Sequence, residues 1–298
     1  MPFSFHANTL AFGGELDEGS KRKLLPSQAS VTLPQEGGFG ESTVSNYYEE
    51  GISFYRAESR VYGNSFENTL FKTYANVTIY GLDIAGILKA DVLSATITSI
   101  NRRQGEWPTE SEVSFDANIV GLVIGGVPYD VELDTAPFTK HRTFGEFANS
   151  VTQMSAAQAQ QTAAAYNWSF QAMQTQTPNV YQIPAAYANG IRATIVRDIK
   201  PALPGYIAVP RKGFTLEVPN LGLVHLGEVL LTAGRRTINM LRIQPGMTLA
   251  DLEIEPAPID AAAPAPGALA IAAMEPESSD YTITVCNATG NGTDYGRP

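Results

Sequence analysis

The sequence predicts a mainly β protein: a β-sandwich or jelly-roll-like domain with one amphipathic helix inserted and a C-terminal linker followed by an isolated strand. Apolar residues recur at short intervals, with Thr and Ser between them, in the blocks 77–100, 113–134 and 214–243, a pattern typical of half-buried strands. Charged residues make up only 17% of the chain, which suits sheets whose outer faces carry Thr, Ser, Asn and Tyr. At 298 residues, the chain is long enough to bury a sizeable core.

The first 60 residues also read as sheet. Strand-like runs occur at 29–33 and 52–55, and the surrounding tyrosines and phenylalanines favour pleated, half-buried surfaces. The hydrophobic period then changes at about 144–176. There Ser155 followed by Gln158 fits a capping box, and the apolar residues that follow predict one amphipathic helix ending near Pro178.

Prolines confine any strands between 178 and 213 to edges or short pieces, and 190–199 reads as one strand. From Phe214 the β pattern returns. The turn Gly234-Arg235-Arg236 separates it from a further strand at 238–243, so we expect a hairpin here.

The chain divides into a β-sandwich-like domain over 1–254, with the helical insert near 144–176, then an Ala/Pro-rich linker over 255–276 and a C-terminal strand with a polar tail over 277–298. The linker composition predicts a semi-rigid, extended spacer. A single strand is not stable alone, so the strand 281–285 must return to its own sheet or complete a neighbour's sheet. In the second case, Tyr281, Ile283 and Val285 are the assembly residues that fill pockets on the acceptor.

The net charge and the N-terminal sequence limit which partners and which location are expected. The net charge of −10 repels phosphate backbones, so nucleic acid is not an expected partner. The start Met-Pro-Phe-Ser-Phe-His lacks a signal peptide, and no window reaches 18 uninterrupted apolar residues, so no transmembrane segment is predicted. A lone cysteine, Cys286, excludes an intrachain disulfide. These features fit either a cytosolic protein or a mature form numbered from an added methionine. Of the two we expect the second, with an extracellular or cell-surface location, on the resemblance described below.

Residues with catalytic or metal-binding chemistry are few and scattered. His6, His141 and His225 form no metal-ligand pair, and nucleophile-elbow, dinucleotide and P-loop motifs do not occur. Three carboxylates, Asp130, Glu132 and Asp134, alternate along one strand face. Such a row either gathers a hard cation such as Ca²⁺ or forms a solvated polar face, and the second interpretation is favoured. The row Asp251, Glu253 and Glu255 is interpreted in the same way. The sequence therefore predicts no enzyme and no catalytic, cofactor-binding or metal site.

Several segments resemble the bacterial choice-of-anchor P family of secreted or surface-anchored β proteins. They are Ser-Val-Thr-Leu-Pro (30–34), Leu-Lys-Ala-Asp-Val-Leu-Ser-Ala-Thr (88–96), Leu-Val-Ile-Gly-Gly-Val-Pro (122–128), Val-Pro-Asn-Leu-Gly-Leu-Val-His-Leu-Gly-Glu (218–228) and Ile-Asn-Met-Leu-Arg-Ile (238–243). The helical insert and the lack of a sorting motif depart from a standard member. The resemblance implies an all-β extracellular domain with no catalytic residues to carry over.

Two classes of function follow from these patterns. The first is a structural or interaction protein that self-associates into homo-oligomers, filaments or a lattice by adding its C-terminal strand to a neighbour, either as a surface scaffold or as a virion or tail-associated protein. The second is a carbohydrate-binding or carbohydrate-cleaving domain with a glycan ligand. It would use Trp107, Trp168 and tyrosines for stacking, and Asp130 or Glu132 for hydrolysis. An exposed aromatic row beside paired acids favours the second class.

Overall fold

The computed structural model describes residues 3–17, 22–104, 107–152, 191–212, 214–231, 235–253 and 282–291. Over these residues the chain forms two antiparallel sheets packed face to face, which confirms the predicted β class and its sandwich-like architecture. The strands are β1 (Ala7–Asp17), β2 (Arg22–Thr32), β3 (Gly38–Glu49), β4 (Ile52–Phe66), β5 (Leu70–Ile84), β6 (Leu88–Gln104), β7 (Trp107–Pro108), β8 (Glu112–Val120), β9 (Leu122–Ile124), β10 (Val127–Leu133), β11 (Ile191–Thr194), β12 (Val196–Pro201), β13 (Arg211–Lys212), β14 (Thr215–Val218), β15 (Gly222–Leu231), β16 (Arg235–Gln244) and β17 (Ile283–Asn291). The helices are α1 (Ala136–Lys140) and α2 (Phe144–Thr152), and a 3-10 turn spans Leu249–Glu253.

The two sheets are formed by different sets of strands. Sheet A has the order β13-β14-β15-β16-β17-β1-β2, with β11 also paired to β15. Sheet B has the order β12-β10-β9-β6-β5-β4-β3, with β7 and β8 also paired to β6. Strand β17 packs over β5 and β6, and β1 packs over β4 and β5. The first and last described strands therefore pair with each other inside sheet A, and both pack against the long strands of sheet B.

Small side chains line much of the interface between the sheets. The fully buried residues include Ala11, Ala57, Ala75, Ala95 and Ala288. Small residues let two sheets approach closely, and the Cys286 thiol of sheet A reaches the Val77 carbonyl oxygen of sheet B at 3.5 Å. Larger side chains such as Phe12 and Phe54 pack together in the same core, with ring centroids 6.4 Å apart.

A transverse row of kinks crosses sheet A. The ladder registers place Gly227, Met240, Cys286, Ala11 and Ala29 side by side on five neighbouring strands. Every second residue in this row has a left-handed backbone: Gly227 at φ +58°, Cys286 at +56° and Ala29 at +45°. A left-handed residue reverses the alternation of side chains along a strand. Consecutive residues such as Val285 and Cys286 therefore both face the core.

Sheet B carries a matching row. Asn46, Tyr55, Gly81, Asp91 and Gly121 lie side by side across it, again with left-handed backbone at every second position: Asn46 at φ +55°, Gly81 at +64° and Gly121 at +65°. In this row the two consecutive residues that share a face, such as Tyr55 and Arg56, point to solvent and not to the core. Because the two sheets are stacked, the direction from sheet A into the core is the same as the direction from sheet B out to solvent. The extra side chains of both rows therefore point the same way.

Several predicted elements have different boundaries in the structure. The segment 190–199 is two strands, because the chain leaves sheet A after Thr194 and enters sheet B at Val196. The predicted polar tail is wrong over 287–291, which continue β17. Its alternation resumes in the opposite phase after the left-handed Cys286, with Ala288 and Gly290 facing inward. The predicted hairpin is confirmed as the antiparallel pair of β15 and β16. Its predicted turn is wrong at Arg235 and Arg236, which are the first two residues of β16 and pair with β17.

The predicted helical insert is described only at its start. Helix α2 begins at Phe144, where the hydrophobic period changes. Residues 153–190, which hold Ser155, Gln158, Trp168 and Pro178, lie outside the described residues, as does the Ala/Pro-rich linker. Within the described part of the chain, neither helix is long and apolar enough to cross a membrane.

Candidate functional site

The most distinctive position in the fold is the slot that holds β17. This strand lies between β16 and β1, and both edges are paired over most of its length. Ile283 and Val285, two of the three predicted assembly residues, are almost completely buried in the core of the same chain. Tyr281 lies outside the described residues. In the single chain, the acceptor of the C-terminal strand is therefore the chain's own sheet A.

Polar side chains fix the register of β17 on the outer face of sheet A. Asn287 donates from its amide to the side-chain oxygen of Asn239 directly opposite on β16. The hydroxyls of Thr289 and Thr237 are 3.1 Å apart. A shift of one residue would break these cross-strand pairs and move buried side chains such as Ile283 and Ala288 to the outer face. The pairs and the buried inner face therefore specify one register.

A second candidate site is the outer face of sheet B, where tyrosines project from three adjacent strands. Tyr48, Tyr55 and Tyr80 are 77%, 69% and 36% exposed. The kink row brings them out: Tyr55 and Arg56 are consecutive on β4, and both face solvent. Tyr55 packs over Gly81, where an added Cβ would lie 3.3 Å from the Tyr55 Cβ. We call Tyr48, Tyr55 and Tyr80 the tyrosine band.

Hydrogen-bonding groups surround the tyrosine band. Arg56 pairs with Glu58 on the same strand. The Lys89 ammonium lies 2.8 Å from Asp83, and this hydrogen bond lowers the pKa of the Asp83 carboxyl below its ordinary value. Further along the face, Asn76 donates to Thr96 at 2.9 Å. The face thus combines flat apolar rings with amides, hydroxyls and charges.

A tyrosine pair extends the aromatic character of this face along the strands. Tyr62 and Tyr74 are opposite each other on β4 and β5. Their rings stack with centroids 5.2 Å apart, and Lys72 lies over the Tyr62 ring at 5.7 Å.

The predicted carboxylate row on β10 is divided among separate partners. Asp130 lies opposite Lys200 in the ladder. The Glu132 carboxylate is 3.2 Å from the Arg197 guanidinium, and Asp134 accepts from the Ala136 backbone N–H at the start of α1 at 2.8 Å. Of the second row, the Asp251 carboxylate accepts from the backbone and hydroxyl of Thr248, which lowers its pKa.

These carboxylates do not converge in space. Across the described ranges, no three metal-ligating side chains come together. The β10 row is also separated from the tyrosine band, because β9 and β6 lie between β10 and β5, the nearest strand of the band. The aromatic row beside paired acids that would favour a carbohydrate-cleaving site is therefore not formed by Asp130 and Glu132. Trp107 lies in β7, beside Gln104.

The three histidines lie in separate environments. His225 sits on the outer face of sheet A, while Val224 and Leu226 face the core as its alternation predicts. Its ring nitrogens contact the Thr215 hydroxyl at 3.0 Å and the Gln244 amide oxygen at 2.7 Å. His6 lies 3.2 Å from the Ser4 hydroxyl, and the His141 ring meets Phe147 edge to face.

An ion-pair cluster lies under α2, and no sequence pattern indicates it. Glu110 accepts from the Gly145 backbone N–H at the start of the helix, at 3.0 Å. It also faces the guanidinium of Arg236, which is 2% exposed, at 3.5 Å. Phe144 lies 5.4 Å from the same guanidinium.

Burial lowers the pKa of Arg236 to about 10, an effect that Glu110 opposes, and the side chain remains a cation at neutral pH. In sequence, Arg236 looks like a solvated residue beside a turn. Only its depth in the fold shows that it ties α2 to sheet A.

The described residues define a two-sheet antiparallel β-sandwich whose final strand completes one sheet and whose other sheet carries an exposed aromatic face. The chain belongs to the family described as Domain of unknown function (DUF8256), whose model matches residues 3–232. No curated protein and no solved structure matches the chain. The matched region ends between β15 and β16, so the folded unit continues past it through β16 and β17.

Proposed function

We propose that this protein is a structural subunit that associates with copies of itself by exchanging its C-terminal strand. The observation that carries the proposal is the position of β17: the last strand of the described residues fills an interior slot of sheet A between β16 and β1. A strand from a neighbouring copy would find the same slot with the same pairing partners.

The energetic argument for exchange rests on identical contacts. When β17 enters a neighbour's sheet, it forms the same ladders as in its own chain. It also buries the same side chains, which are Ile283, Val285, Cys286 and Ala288. The closed and exchanged forms then differ mainly in the connection and in the entropy of association, which makes exchange a low-cost route to oligomers.

The connection is long enough for exchange. Residues 254–282 separate the 3-10 turn from β17, and a chain of this length reaches at most roughly 100 Å when fully extended. Exchange from each copy to the next gives an open series and hence filaments or a lattice. An extracellular or surface scaffold, and the resemblance to choice-of-anchor P proteins, belong to this proposal. A virion or tail-associated subunit would assemble in the same way.

The proposal is tested by a disulfide that records which chain donates the strand. Asn239 and Asn287 are opposite each other with their side chains in contact, and opposite residues of an antiparallel ladder lie at the Cα separation that a disulfide needs. The variant carries Asn239→Cys and Asn287→Cys in a Cys286→Ala background. After oxidation at high protein concentration, non-reducing electrophoresis separates the two forms.

Exchange predicts covalent dimers and higher multimers that disappear on reduction. The two single-cysteine variants are the controls, because neither forms the 239–287 disulfide within a chain, and the extent of their random dimers sets the background. If the double variant is fully oxidised and stays monomeric at every concentration, β17 remains in its own chain and the proposal is wrong.

A second candidate function is glycan binding by the tyrosine band. Flat apolar rings beside amides and charges are the groups that stack on sugar rings and bind hydroxyls. We expect Tyr55→Ala and Tyr80→Ala to weaken binding in a glycan array or by calorimetry by about tenfold each. Phe66→Ala is the matched control, since Phe66 is an exposed aromatic at the distant end of β4. Equal effects of all three variants would contradict a site at the tyrosine band.

A further inference from the structure

Strand β3 has a long free edge. It is the outermost strand of sheet B and pairs with β4 on one side. Among the described residues, no strand pairs with its other side. Its side chains are exposed or half-buried along the whole strand, as expected where a sheet edge faces water. Such an edge presents a row of backbone N–H and C=O groups that can accept another strand.

The other sheet edges carry features that prevent such pairing. In sheet A, β2 is interrupted by Pro26 and by the left-handed Ala29, while β11 and β13 are four and two residues long. In sheet B, β12 is six residues long and ends at Pro201. Helix α1 packs against β8, where the Val113 N–H donates to the Arg142 carbonyl at 2.9 Å. Prolines, kinks, short strands and covering helices all protect an edge.

Strand β3 lacks these features over most of its length. Its sequence contains no proline, lysine or arginine. Its register with β4 runs without a break from Gly38 to Ser45, and the kink at Asn46 comes after this segment. Because native proteins generally protect a regular edge of this kind, we expect this one to be paired with another extended strand.

We propose that β3 pairs antiparallel with β3 of a second copy of the chain, across a two-fold axis at Ser42. In this register residues 39–45 of the two copies pair with each other, and all of them precede the kink. Glu41 then lies opposite Thr43 of the second copy. An axis at Glu41 would place two carboxylates directly opposite each other, which is destabilising. An axis at Thr43 would bring the kinked residue into the ladder.

The segment is complementary to itself on both faces, which is why the partner is a second copy. On the inner face, the half-buried Val44 would lie opposite Gly40, which has no side chain to obstruct it and which is itself opposite the buried Val61. Pairing would therefore remove apolar surface of Val44 from water in each copy. On the outer face, Glu41 keeps the Arg60 guanidinium of its own chain at 3.8 Å and meets a hydroxyl across the axis.

This contact is separate from strand exchange. A two-fold contact is isologous, so it closes into a dimer, and two short strands bury little surface, so the dimer should be weak and reversible. The first test uses a chain whose β17 is locked in its own sheet by the 239–287 disulfide in the Cys286→Ala background. The covalent monomer is isolated after oxidation at low protein concentration. Any association of this locked chain comes from another surface.

Charge substitutions at Thr43 test the register by sedimentation equilibrium of the locked chain. Thr43 is exposed, so folding should be unchanged, as judged by circular dichroism. Thr43→Glu places a carboxylate opposite Glu41 twice in each dimer and should raise the dissociation constant about tenfold, whereas Thr43→Lys should lower it by a similar factor. Ser30→Glu and Ser30→Lys are the controls, because they change the net charge equally on β2 at the edge of sheet A. Neither should alter association.

A disulfide at the axis is a second test and needs no lock. In a Cys286→Ala background, Ser42→Cys places one cysteine of each copy opposite the other, at the Cα separation that a disulfide spans. In oxidised glutathione it should form covalent dimers faster than Ser30→Cys, although Ser30 is the more exposed of the two.

Three results would each overturn the proposal. The first is a locked chain that stays monomeric up to about 1 mM. The second is a shift of the dissociation constant in the same direction by Thr43→Glu and Thr43→Lys. The third is disulfide formation by Ser42→Cys that is no faster than by Ser30→Cys. None of these results depends on whether β17 exchanges between chains.

Discussion

Replacement of Gly14 by alanine should destabilise the protein through the contact between β1 and β17. Gly14 has φ +153°, and a Cβ added there would lie 2.2 Å from the Thr282 carbonyl oxygen and 2.8 Å from the Ile283 Cα. Both contacts are with backbone, so no side chain can rotate away. Because ordinary contact begins at 3.4 Å, the two strands would have to separate by about 1 Å.

The cost follows from the bonds that this separation breaks. The Glu15 N–H donates to the Thr282 oxygen at 3.1 Å, and Gly13 and Gly14 pair with Thr284 and Ile283. Loss of two or three such hydrogen bonds costs about 2–3 kcal/mol, and partial exposure of Ile283 adds about 1–2 kcal/mol. We therefore expect the free energy of unfolding to fall by about 3–5 kcal/mol, a large share of a typical domain's stability.

The measurement is urea unfolding followed by circular dichroism, with the midpoint and the slope reported separately. Gly86→Ala is the matched control, because Gly86 also has a positive φ, +69°, but nothing lies within 4 Å of an added Cβ. It should cost only about 1–2 kcal/mol of backbone strain. If Gly14→Ala costs no more than Gly86→Ala, β17 does not lie against β1 as described, and the reasoning about the slot is refuted.

Three further predictions concern charged and titrating groups. Glu110→Gln should lower the free energy of unfolding by about 1–3 kcal/mol, because the buried Arg236 loses its charge partner. Arg236→Met in the same chain should recover part of this loss. Additive costs in the double-mutant cycle would contradict the pairing. Burial raises the pKa of the Cys286 thiol far above its ordinary value. The unfolded thiol therefore ionises alone above about pH 8.5, and stability should fall by up to about 1.4 kcal/mol per pH unit relative to Cys286→Ala; parallel pH profiles in urea melts would refute this. The hydrogen bond from Lys89 lowers the pKa of Asp83, so Lys89→Met should raise that pKa in an NMR titration, and wild type should lose its advantage as pH falls through the Asp83 pKa; an unchanged Asp83 pKa would contradict the contact.

The strand pattern was readable from the sequence where alternation is regular. The block 77–100 alternates apolar and polar residues and forms the hairpin of β5 and β6, and the change of period near 144 coincides with the start of α2. Alternation of period two places one face of a strand in the core whatever the strand's neighbours are, so local sequence suffices for these elements.

The kinked strands were harder to read because their alternation changes phase. In β17, Ile283 and Val285 face inward before the kink, and Ala288 and Gly290 face inward after it. The small and polar residues of 287–291 therefore resemble a tail in the sequence. Only the alignment of Cys286 with Ala11 and Met240 on neighbouring strands shows that the phase change is shared across the sheet.

The candidate sites show the same division. Sequence alone indicated that Ile283 and Val285 belong to a strand needing partners, because an isolated strand leaves its backbone groups and its apolar face unsatisfied. It could not place that strand between β16 and β1, nor bring Glu110 to Arg236 across the fold. Hydrophobic alternation is a local property and determined the β class and most elements. Strand order, the central position of the last strand and the exposure of the tyrosine band depend on pairing between residues far apart in the chain, and only the tertiary structure decides them.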